Sequence, residues 1–295
     1  VVRVSGAPKE SSLPLHTLQY LKHCFLAYML ENTKTLLNSV YATLYFPSLM
    51  RALGAKVGKG SEVSTVSHMT PHLLEVGEGC FLADACIVGG HRIHGGTIEI
   101  EPVSIGDRTF IGNSALVPGG VSIGSNTLIG VGSTPPNGIR SVPSNTRWLG
   151  SPSFELPRTQ QGYCFAEETL FKPTRAAVAE RAFTDAMRIL LPGLILGALS
   201  VAFFGVLVEA YKLLPLWAVI LSVPPLAALV AFASVALAAA IKNVLQGTLS
   251  PLVKPLWCRF VWRNELVNGV YEGIAASVMT PLLGTPLIST CLRMM

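Results

Sequence analysis

Charge is what this sequence has least of. Only 13% of its 295 residues are Asp, Glu, Lys or Arg, against roughly 25% in an average soluble domain. The deficit is concentrated near the C-terminal end, where Glu209 and Lys212 are the only charged residues between Arg188 and Lys242. The net charge of +5 is small for this length, so the composition excludes a strongly basic nucleic-acid-binding domain.

Cysteine is also scarce. The six cysteines form no closely spaced pairs, which argues against a disulfide scaffold and against a structural zinc site. Hydrophobic residues make up 50% of the chain, and this share excludes intrinsic disorder. Because the chain begins at Val1 and ends at Met295 within an apolar stretch, we expect it to be a segment of a longer protein.

Two uncharged runs predict a membrane hairpin. Ile189–Val208 contains 20 residues without a charge, and Leu213–Ile241 contains 29. A helix needs about 20 apolar residues to cross the roughly 30 Å of hydrocarbon in a bilayer, so both runs are long enough. We expect Pro192, Pro224 and Pro225 to kink or break these helices.

Basic residues on both sides of the hairpin predict its orientation. They precede the first run and follow the second, at Lys172, Arg175, Arg181, Arg188, Lys242, Lys254, Arg259 and Arg263. Because short loops rich in Lys and Arg stay on the cytoplasmic side of a membrane, we expect both ends of the hairpin to face the cytoplasm. The chain is therefore predicted to be part of a multi-pass membrane protein.

The N-terminal half repeats every six residues. Five consecutive hexads start at Ile105 and read IGDRTF, IGNSAL, VPGGVS, IGSNTL and IGVGST, and earlier hexads begin at Val57, Val63, Val76 and Leu82. The fifth position is small: Ser61, Ser67, Cys80, Cys86, Thr109, Ala115, Val121, Thr127 and Ser133. Period six with an aliphatic first position is typical of a parallel β-helix, in which three hexads close one triangular coil.

The repeat predicts how this β-helix is packed. The aliphatic and small positions are expected to fill the prism, and glycines are expected to turn the corners, where φ can be positive. Val57–Thr134 predicts about four coils, interrupted at Ser67–Glu75 and Ile87–Ser104. A β-sandwich of alternating strands would not keep a six-residue phase for thirty residues. Cys80 and Cys86 occupy inward positions and are expected to be packing residues.

Further motifs carry a resemblance to known families. The hexads, with PPN at Pro135 and GSPS at Gly150, resemble the left-handed parallel β-helix of hexapeptide-repeat acyltransferases and the segment that closes their acyl-donor site. The run from Ile105 through Pro157, with IGDRTFIGNSALVPGG, GVGSTPP and WLGSPSFELPR, more closely resembles the membrane-embedded terminal domain of non-ribosomal peptide synthetases of the ε-poly-lysine synthetase type.

The second resemblance implies partners and a cofactor. It implies adenylation and carrier domains in the parent protein, tandem copies of the same module, and the phosphopantetheine arm of a carrier protein as cofactor, or coenzyme A in its place. The segment WCRFVWRNELVNGVYEG, followed by TPLLGTPLISTCLRMM, resembles the part of such proteins that introduces the next β-helix copy. Membrane lipid is a further expected partner, and no nucleic acid is expected.

The resemblance also indicates candidate catalytic residues. In CIVGGHRIHGG, His91 falls where this family carries a histidine-containing excursion before the next hexad. A histidine there could deprotonate an acceptor amine, and a surface histidine with ordinary hydrogen bonds fits the pattern equally well. Asn113 could donate a hydrogen bond to an oxyanion, or it could turn a corner, because Asn tolerates a left-handed conformation.

Glycines are the candidate cofactor-binding residues. The backbone N–H groups around Gly130, Gly132 and Gly150 are expected to line the slot of the pantetheine arm, unless these glycines only turn corners.

A metal site is not expected, although four histidines lie close together in the sequence. His68 and His72 would share one face only on a helix, and Pro71 disfavours a helix there. His91 and His94 supply just two ligands on a glycine-rich loop, which is too few for a stable site.

The patterns divide the chain into five segments and predict a mixed fold. Residues 1–54 are predicted to be a helical amphipathic segment, with two helices in the aromatic-rich stretch Leu13–Phe46, and residues 55–158 to be the β-helix with its closing segment. Residues 159–188 are predicted to be a linker and a basic helix, and residues 189–242 the transmembrane hairpin. Residues 243–295 are predicted to be interfacial helices that lead into a next repeat. The fold class is thus a left-handed parallel β-helix of about four coils with a transmembrane α-helical hairpin and flanking helices.

The leading functional hypothesis is a membrane-anchored, acyltransferase-like module of a non-ribosomal peptide synthetase-like protein. It would form an amide or isopeptide bond between a carrier-bound aminoacyl group and an amine, and this reaction class comes from the resemblance. Two alternatives stay open. One is a catalytically silent scaffold that anchors the synthetase in the membrane, and the other is a soluble trimeric acetyltransferase that uses coenzyme A.

Overall fold

The structure is a computed structural model that describes residues 11–66, 68–157, 165–248 and 250–294. The chain divides into two units, residues 1–164 and residues 165–295. The first unit contains all the described strands and two helices, and the second unit is helical in its described part.

Short strands make up most of the first unit. They are β1 (Ser11–Pro14), β2 (Lys56–Val57), β3 (Glu62–Val63), β4 (Leu74–Val76), β5 (Phe81–Leu82), β6 (Ile87–Gly90), β7 (Arg92–His94), β8 (Thr97–Ile100), β9 (Val103–Ile105), β10 (Phe110–Ile111), β11 (Leu116–Pro118), β12 (Ser122–Ile123), β13 (Leu128–Ile129), β14 (Ser141–Val142), β15 (Arg147–Gly150) and β16 (Ser153–Glu155). The helices are α1 (Leu18–Leu36) and α2 (Phe46–Ala52), with 3-10 turns at Asn38–Val40 and Pro71–Leu73.

Parallel pairing of these strands builds a β-helix. One face pairs β2, β4, β9, β12 and β14, a second pairs β3, β5, β10, β13 and β15, and a third pairs β6 with β11. Among the strands of these three faces, those that follow one another in the chain lie on different faces, so the chain winds around an axis. The strand pairing confirms the predicted hexapeptide β-helix and excludes a β-sandwich, whereas the left hand and the number of coils stay predictions.

The predicted phase of the repeat is confirmed by burial. The first residue of every hexad is buried: Val57, Val63, Val76, Leu82, Ile105, Ile111, Val117, Ile123 and Ile129. The described fifth residues are buried too, and Ser67 lies outside the described residues. Polar fifth residues bond to the neighbouring coil, since Thr109 Oγ1 donates to the Gly124 carbonyl at 2.9 Å. Each fully buried Ile or Val contributes about 1.5–3 kcal/mol.

The prediction that glycines supply the positive φ at the corners is only partly correct. The left-handed conformation falls on the fourth residue of eight of the nine hexads, and four of these residues are not glycine: Ala85, Arg108, Ser114 and Asn126. The second residue is glycine in six of the nine hexads, for a different reason that Gly106 illustrates. A Cβ on Gly106 would lie 2.5 Å from the Ser125 backbone nitrogen of the next coil, so only a residue without a side chain allows the coils to stack.

The excursion from the third face is a small antiparallel sheet instead of the expected flexible loop. Strands β7 and β8 form a hairpin, and β1 pairs with the other edge of β8, with Ser11 beside Ile100. The aromatic-rich stretch therefore begins with a strand, and only then continues into α1, a 3-10 turn and α2. The Thr17 side chain caps α1 by accepting a hydrogen bond from the Tyr20 N–H at 3.3 Å.

The second unit consists of helices α3 (Glu167–Phe171), α4 (Arg175–Leu213), α5 (Leu216–Leu245), α6 (Arg259–Val270), α7 (Ser277–Met279) and α8 (Pro286–Met294). A π-helical turn, Tyr271–Ala276, follows α6, and a 3-10 turn, Thr280–Leu282, follows α7. The prolines do not break α4 or α5, contrary to that part of the prediction. Pro192 is buried against Gly273, where a Cβ would lie 2.6 Å from the proline Cβ, and this packing supports the helix.

Helices α4 and α5 include stretches that are long and apolar enough to cross a membrane. Their most apolar 18-residue windows have a mean hydropathy of 2.3 and 2.2. Only 6% and 11% of these windows are buried inside the chain, whereas the core helix of a soluble protein would be mostly covered. The apolar side chains of these helices thus point outward.

One predicted flanking charge has a packing role in the structure. Arg181 is fully buried, with its guanidinium 5.0 Å from the centre of the Trp257 ring and its Nε 4.0 Å from Asp185. Arg259, in contrast, is exposed and forms an ion pair with Glu180 at 2.6 Å. Basic residues near the hairpin therefore include buried as well as solvent-facing members.

Candidate active site

His91 lies where the chain leaves the third face of the β-helix. It follows Gly90, the last residue of β6, whose carbonyl accepts a hydrogen bond from the Gly119 N–H at 3.2 Å. The coil is therefore closed directly before His91, and β7 begins directly after it. The residue is exposed, so a substrate can approach it from solvent.

A narrow cavity of about 20 Å³ lies beside His91. Its polar lining comes from α1, from the residue after the 3-10 turn Asn38–Val40, from the segment between β3 and β4, and from the start of the excursion: His23, Glu31, Tyr41, His68, Thr70 and His91. This volume admits about one water molecule. The cavity is therefore too small for a pantetheine arm in a single chain.

His23 on α1 is the site residue that sequence reasoning missed. Its ring centre lies 5.4 Å from that of His91 at an interplanar angle of 88°, an edge-to-face contact, and only 6% of its surface is exposed. The one signal in the sequence was position, because His23 shares a helical face with Leu26 and Leu30. That spacing indicated burial, but no local pattern indicated a second histidine beside it.

Both imidazoles are shifted toward their neutral forms. Burial, with the nearby His91 and His72 rings, lowers the pKa of His23 from 6.5 to about 4. Partial burial, and after it the nearby His68, lowers the pKa of His91. A neutral imidazole accepts a proton, so the site holds His91 in the form that a general base requires near pH 7.

Asn113 lies in the turn that precedes β11, and the structure does not bring it next to His91. Since β11 pairs with β6, Asn113 precedes one end of the third face and His91 follows the other. The Asn113 carbonyl accepts a hydrogen bond from the Gly132 N–H at 2.8 Å. The left-handed residue of this corner is Ser114, so Asn113 is not needed there for its conformational tolerance.

The three predicted cofactor glycines use their N–H groups within the β-helix. At 2.8 Å each, Gly130 donates to the Trp148 carbonyl, Gly132 to the Asn113 carbonyl, and Gly150 to Ser133 Oγ. These N–H groups are therefore engaged in stacking the last coils. Gly130 also permits a close approach, because a Cβ there would lie 2.6 Å from Leu149 Cδ1.

A wider groove runs along the first face of the β-helix. It has a volume of about 850 Å³ and is open to solvent. Its lining combines glycines of one corner with polar and charged side chains, among them Arg51, Lys56, Glu75, Ser104 and Asp107. Gly130, Gly132 and Gly150 lie outside it. The groove is far larger than the cavity beside His91.

The histidines near the cavity do not form a metal site. Among the residues that the structure describes, no group of three or more His, Cys, Asp or Glu side chains is arranged to hold a metal ion. Cys80 and Cys86 are buried free thiols, and burial raises the pKa of Cys86 to about 12. These cysteines pack inside the coils, as their phase in the repeat predicted.

These features define a class: a hexapeptide-repeat β-helix protein that also carries two helices long and apolar enough to span a membrane. The chain is 32% identical over 284 residues to delta-poly-L-ornithine synthetase of Acinetobacter baumannii (strain AB307-0294). The alignment covers 95% of this chain and 21% of that protein, so the chain spans about a fifth of the curated relative. This relative confirms the resemblance to synthetases of the ε-poly-lysine synthetase type.

No family model matches the chain. Solved structures similar to it include a serine acetyltransferase of Neisseria gonorrhoeae, 25% identical, covering 37% of this chain and 40% of that one with a TM-score of 0.30. A maltose O-acetyltransferase of Clostridium difficile 630 is 20% identical, covering 53% and 100% with a TM-score of 0.35. The acetyltransferase domain of PglB from Neisseria gonorrhoeae FA1090, in complex with acetyl coenzyme A, is 18% identical, covering 35% and 52% with a TM-score of 0.25. These superpositions are partial, and the fold is defined by the strand pairing of this chain itself.

Proposed function

We propose that this chain is a membrane-anchored, acyltransferase-like module of a non-ribosomal peptide synthetase-like protein. It transfers an aminoacyl or peptidyl group from the phosphopantetheine thioester of a carrier protein to an amine. The product is an amide or isopeptide bond. The proposal is supported by the synthetase relative and by a histidine with a lowered pKa at the edge of the coils.

The observation that carries this proposal is the environment of His91. An acceptor amine is protonated near pH 7; it gives this first proton to solvent and attacks the thioester as the neutral amine, whose nitrogen loses a second proton in the reaction. His91 is exposed to substrate, yet partial burial of its ring lowers its pKa. As the amine attacks, the C–N bond forms and the C–S bond breaks; His91 accepts the proton from the nitrogen and returns it to the departing thiolate.

The thioester arm has a surface to lie on in the groove of the first face. The arm is an extended chain with amide groups, and the groove offers charged and hydroxyl side chains, Arg51, Lys56 and Ser104 among them. His91 and Asn113 lie at opposite ends of the third face in one chain. A neighbouring copy of the module would supply the missing partner, with Asn113 or the corners at Gly130, Gly132 and Gly150 facing the arm held by the other copy.

The helical unit determines where this reaction takes place. Helices α4 and α5 present apolar side chains outward and suit a bilayer. The basic residues that flank the hairpin favour the cytoplasmic side for the β-helix, where carrier and adenylation domains act. An anchored module raises the effective concentration of the growing chain beside the membrane.

Replacing His91 tests the proposal in the protein as the cell makes it. We expect His91→Gln to lower product formation about 10²–10⁴-fold, the usual contribution of a general base. His94→Gln is the matched control, since His94 is exposed in β7 and does not line the cavity, and it should keep full activity. Unchanged product formation in His91→Gln at normal protein level would overturn the assignment.

A catalytically silent scaffold is the second candidate, and one observation favours it. The cavity beside His91 admits only one water molecule, and the N–H groups of the three predicted cofactor glycines are engaged elsewhere. In a scaffold, His91→Gln would leave product formation unchanged. Deletion of the first unit would then stop the assembly of the synthetase at the membrane.

A further inference from the structure

His23 is a buried titratable group for which the β-helix itself has no need. It lies on α1, outside the repeat, and its ring meets the His91 ring edge-to-face at 5.4 Å. Histidine is seldom fully buried unless its polar atoms are satisfied. A leucine would fill the same space more favourably. The choice of an imidazole at this contact therefore indicates a role for its nitrogens.

The nitrogen in question is Nε2. It is inaccessible to solvent, and within the described part of the chain no hydrogen-bonding partner lies near it. The side chain that carries it lines the cavity beside His91, and the cavity has the volume of about one water molecule. A buried water with polar groups around it is the usual partner of such an atom.

We propose that His23 is a positioning residue for His91: its ring holds the His91 imidazole edge-to-face, and its Nε2 binds one water molecule that also contacts the His91 side of the cavity. The inference deepens the proposed function and rests on it, because positioning matters only if His91 acts as the base. The class of ligand is water, held in the cavity that both imidazoles line.

The groups around His23 and His91 determine whether the pKa of His91 rises or falls when His23 is replaced. The charges of His91 and His72 act on His23 and lower its pKa, and His68, Glu31 and Tyr41 line the same cavity. The water stabilises the protonated form of His91 more than an apolar wall would. Removing the nitrogens of His23 should therefore displace this water from its position beside His91 and lower the pKa of His91 further.

The experiment measures the titration of His91 directly in the full-length protein in detergent. Diethyl pyrocarbonate acylates only neutral imidazole, and peptide mass spectrometry assigns the rate to His91 at each pH. We expect His23→Phe, which keeps the ring and removes the nitrogens, to move the His91 midpoint to lower pH by roughly half a unit or more. His23→Gln, whose amide can reach the Nε2 position, should restore the midpoint.

Product formation supplies the second readout. We expect His23→Phe to lower kcat about tenfold with KM nearly unchanged, because a displaced base affects the chemical step more than binding. His23→Leu also removes the nitrogens and replaces His23→Phe in the test if the larger ring prevents folding. His94→Gln should leave the midpoint of His91 unchanged.

The outcomes separate this inference from the proposed function. If the His91 midpoint is the same in His23→Phe, His23→Leu and the unsubstituted protein, the positioning role is overturned. If the midpoint moves but His91→Gln keeps full product formation, the contact between the histidines is real and the proposed function has failed. A moved midpoint, a lowered kcat and rescue by His23→Gln support both.

Discussion

The β-helix and the helices α4 and α5 direct most of their large apolar side chains in opposite ways. In the β-helix the aliphatic first residue of each hexad points inward, and Ile111 and Val117 are completely buried. In α4 and α5 large apolar residues point outward, as Val201 does with 74% of its surface exposed. The same residue types thus build an interior in one unit and an outer surface in the other. The difference teaches that α4 and α5 are long, apolar and outward-facing enough to suit a bilayer.

The largest effect is expected when a charge is placed on the outer surface of α4 and, for comparison, on the outer surface of the β-helix. Val201 in α4 and Val131 on the β-helix are similarly exposed, at 74% and 67%. We expect Val201→Arg to disfavour membrane insertion by about 2.5–3.5 kcal/mol, the usual cost of Arg in the middle of a spanning helix. Val131→Arg should change stability by at most about 0.5 kcal/mol.

Membrane integration can be followed by extraction of isolated membranes with alkaline carbonate. The Val201→Arg protein should appear in the soluble fraction or be degraded, and the Val131→Arg protein should stay in the membrane pellet. Equal retention of both variants would mean that the outward face of α4 does not meet hydrocarbon.

A methyl-deletion pair would test the interior of the β-helix. Val117 is fully buried and Val131 is exposed, so the same substitution is compared inside and outside. We expect Val117→Ala to lower the free energy of unfolding by about 2 kcal/mol through lost burial and a new cavity. Val131→Ala should cost at most about 0.5 kcal/mol. Thermal unfolding in detergent measures both, and similar midpoints would contradict the inward phase of the repeat.

Acid should weaken the first unit through His23. Its pKa is about 4 in the folded chain and 6.5 when unperturbed. Between these values the unfolded chain binds more protons, so the stabilisation is fully present above pH 6.5 and is lost as the pH falls toward 4. We expect a loss on the order of 1–2 kcal/mol between pH 7 and pH 5.

The variant His23→Phe removes the titrating group and should flatten this part of the pH dependence. Thermal midpoints of the unsubstituted protein and the variant at pH 7 and pH 5 provide the comparison. If both proteins lose the same stability between the two pH values, His23 is not the group responsible.

The smallest effects are expected from the exposed ion pairs of the two units. Lys56 and Glu75 lie 3.4 Å apart on the first face of the β-helix, and Arg259 and Glu180 lie 2.6 Å apart in the helical unit. Because solvent screens exposed pairs, we expect Lys56→Gln and Arg259→Gln each to cost about 0.2–1 kcal/mol. A loss of several kcal/mol in the free energy of unfolding of either variant, measured by thermal unfolding, would show that its pair is shielded from solvent.

The regular parts of the fold could be predicted because their signals are local. The six-residue phase identified the inward residues from Val57 to Ile129, and the uncharged runs identified the two long helices. Cys80 and Cys86 were recognised as packing residues from the same phase. In each case the property that decides burial, a side chain's position within a short repeat or its hydropathy over about 20 residues, can be counted directly in the sequence.

The irregular parts could not be predicted because they depend on distant residues. Strand β1 forms only because β8 offers an unpaired edge some 85 residues later, and its own residues carry no strand pattern. The positive φ of Arg108 follows from the geometry of the coil, although arginine has no preference for it. The sequence of the excursion predicted a glycine-rich loop, whereas in the structure β8 pairs with both β7 and β1 and forms a sheet.

The candidate site shows the same division. His91 could be singled out from the residues around it, and the relative supports the family on which that choice rested. The placement of Asn113 away from His91, and the engagement of the N–H groups of Gly130, Gly132 and Gly150 within the coils, became visible only with the hydrogen bonds. His23 lies 68 residues before His91 in the chain and meets it only through the packing of α1.

The sequence by itself determined which residues of the β-helix face inward and which helices are long and apolar enough to span a membrane, because both follow from the spacing and the hydropathy of neighbouring residues. Only the tertiary structure decided the environment of His91. The cavity, the contact with His23 and the lowered pKa arise where α1 packs against the excursion. Burial and charge at that place are sums over side chains that are far apart in the chain, and no local pattern contains them.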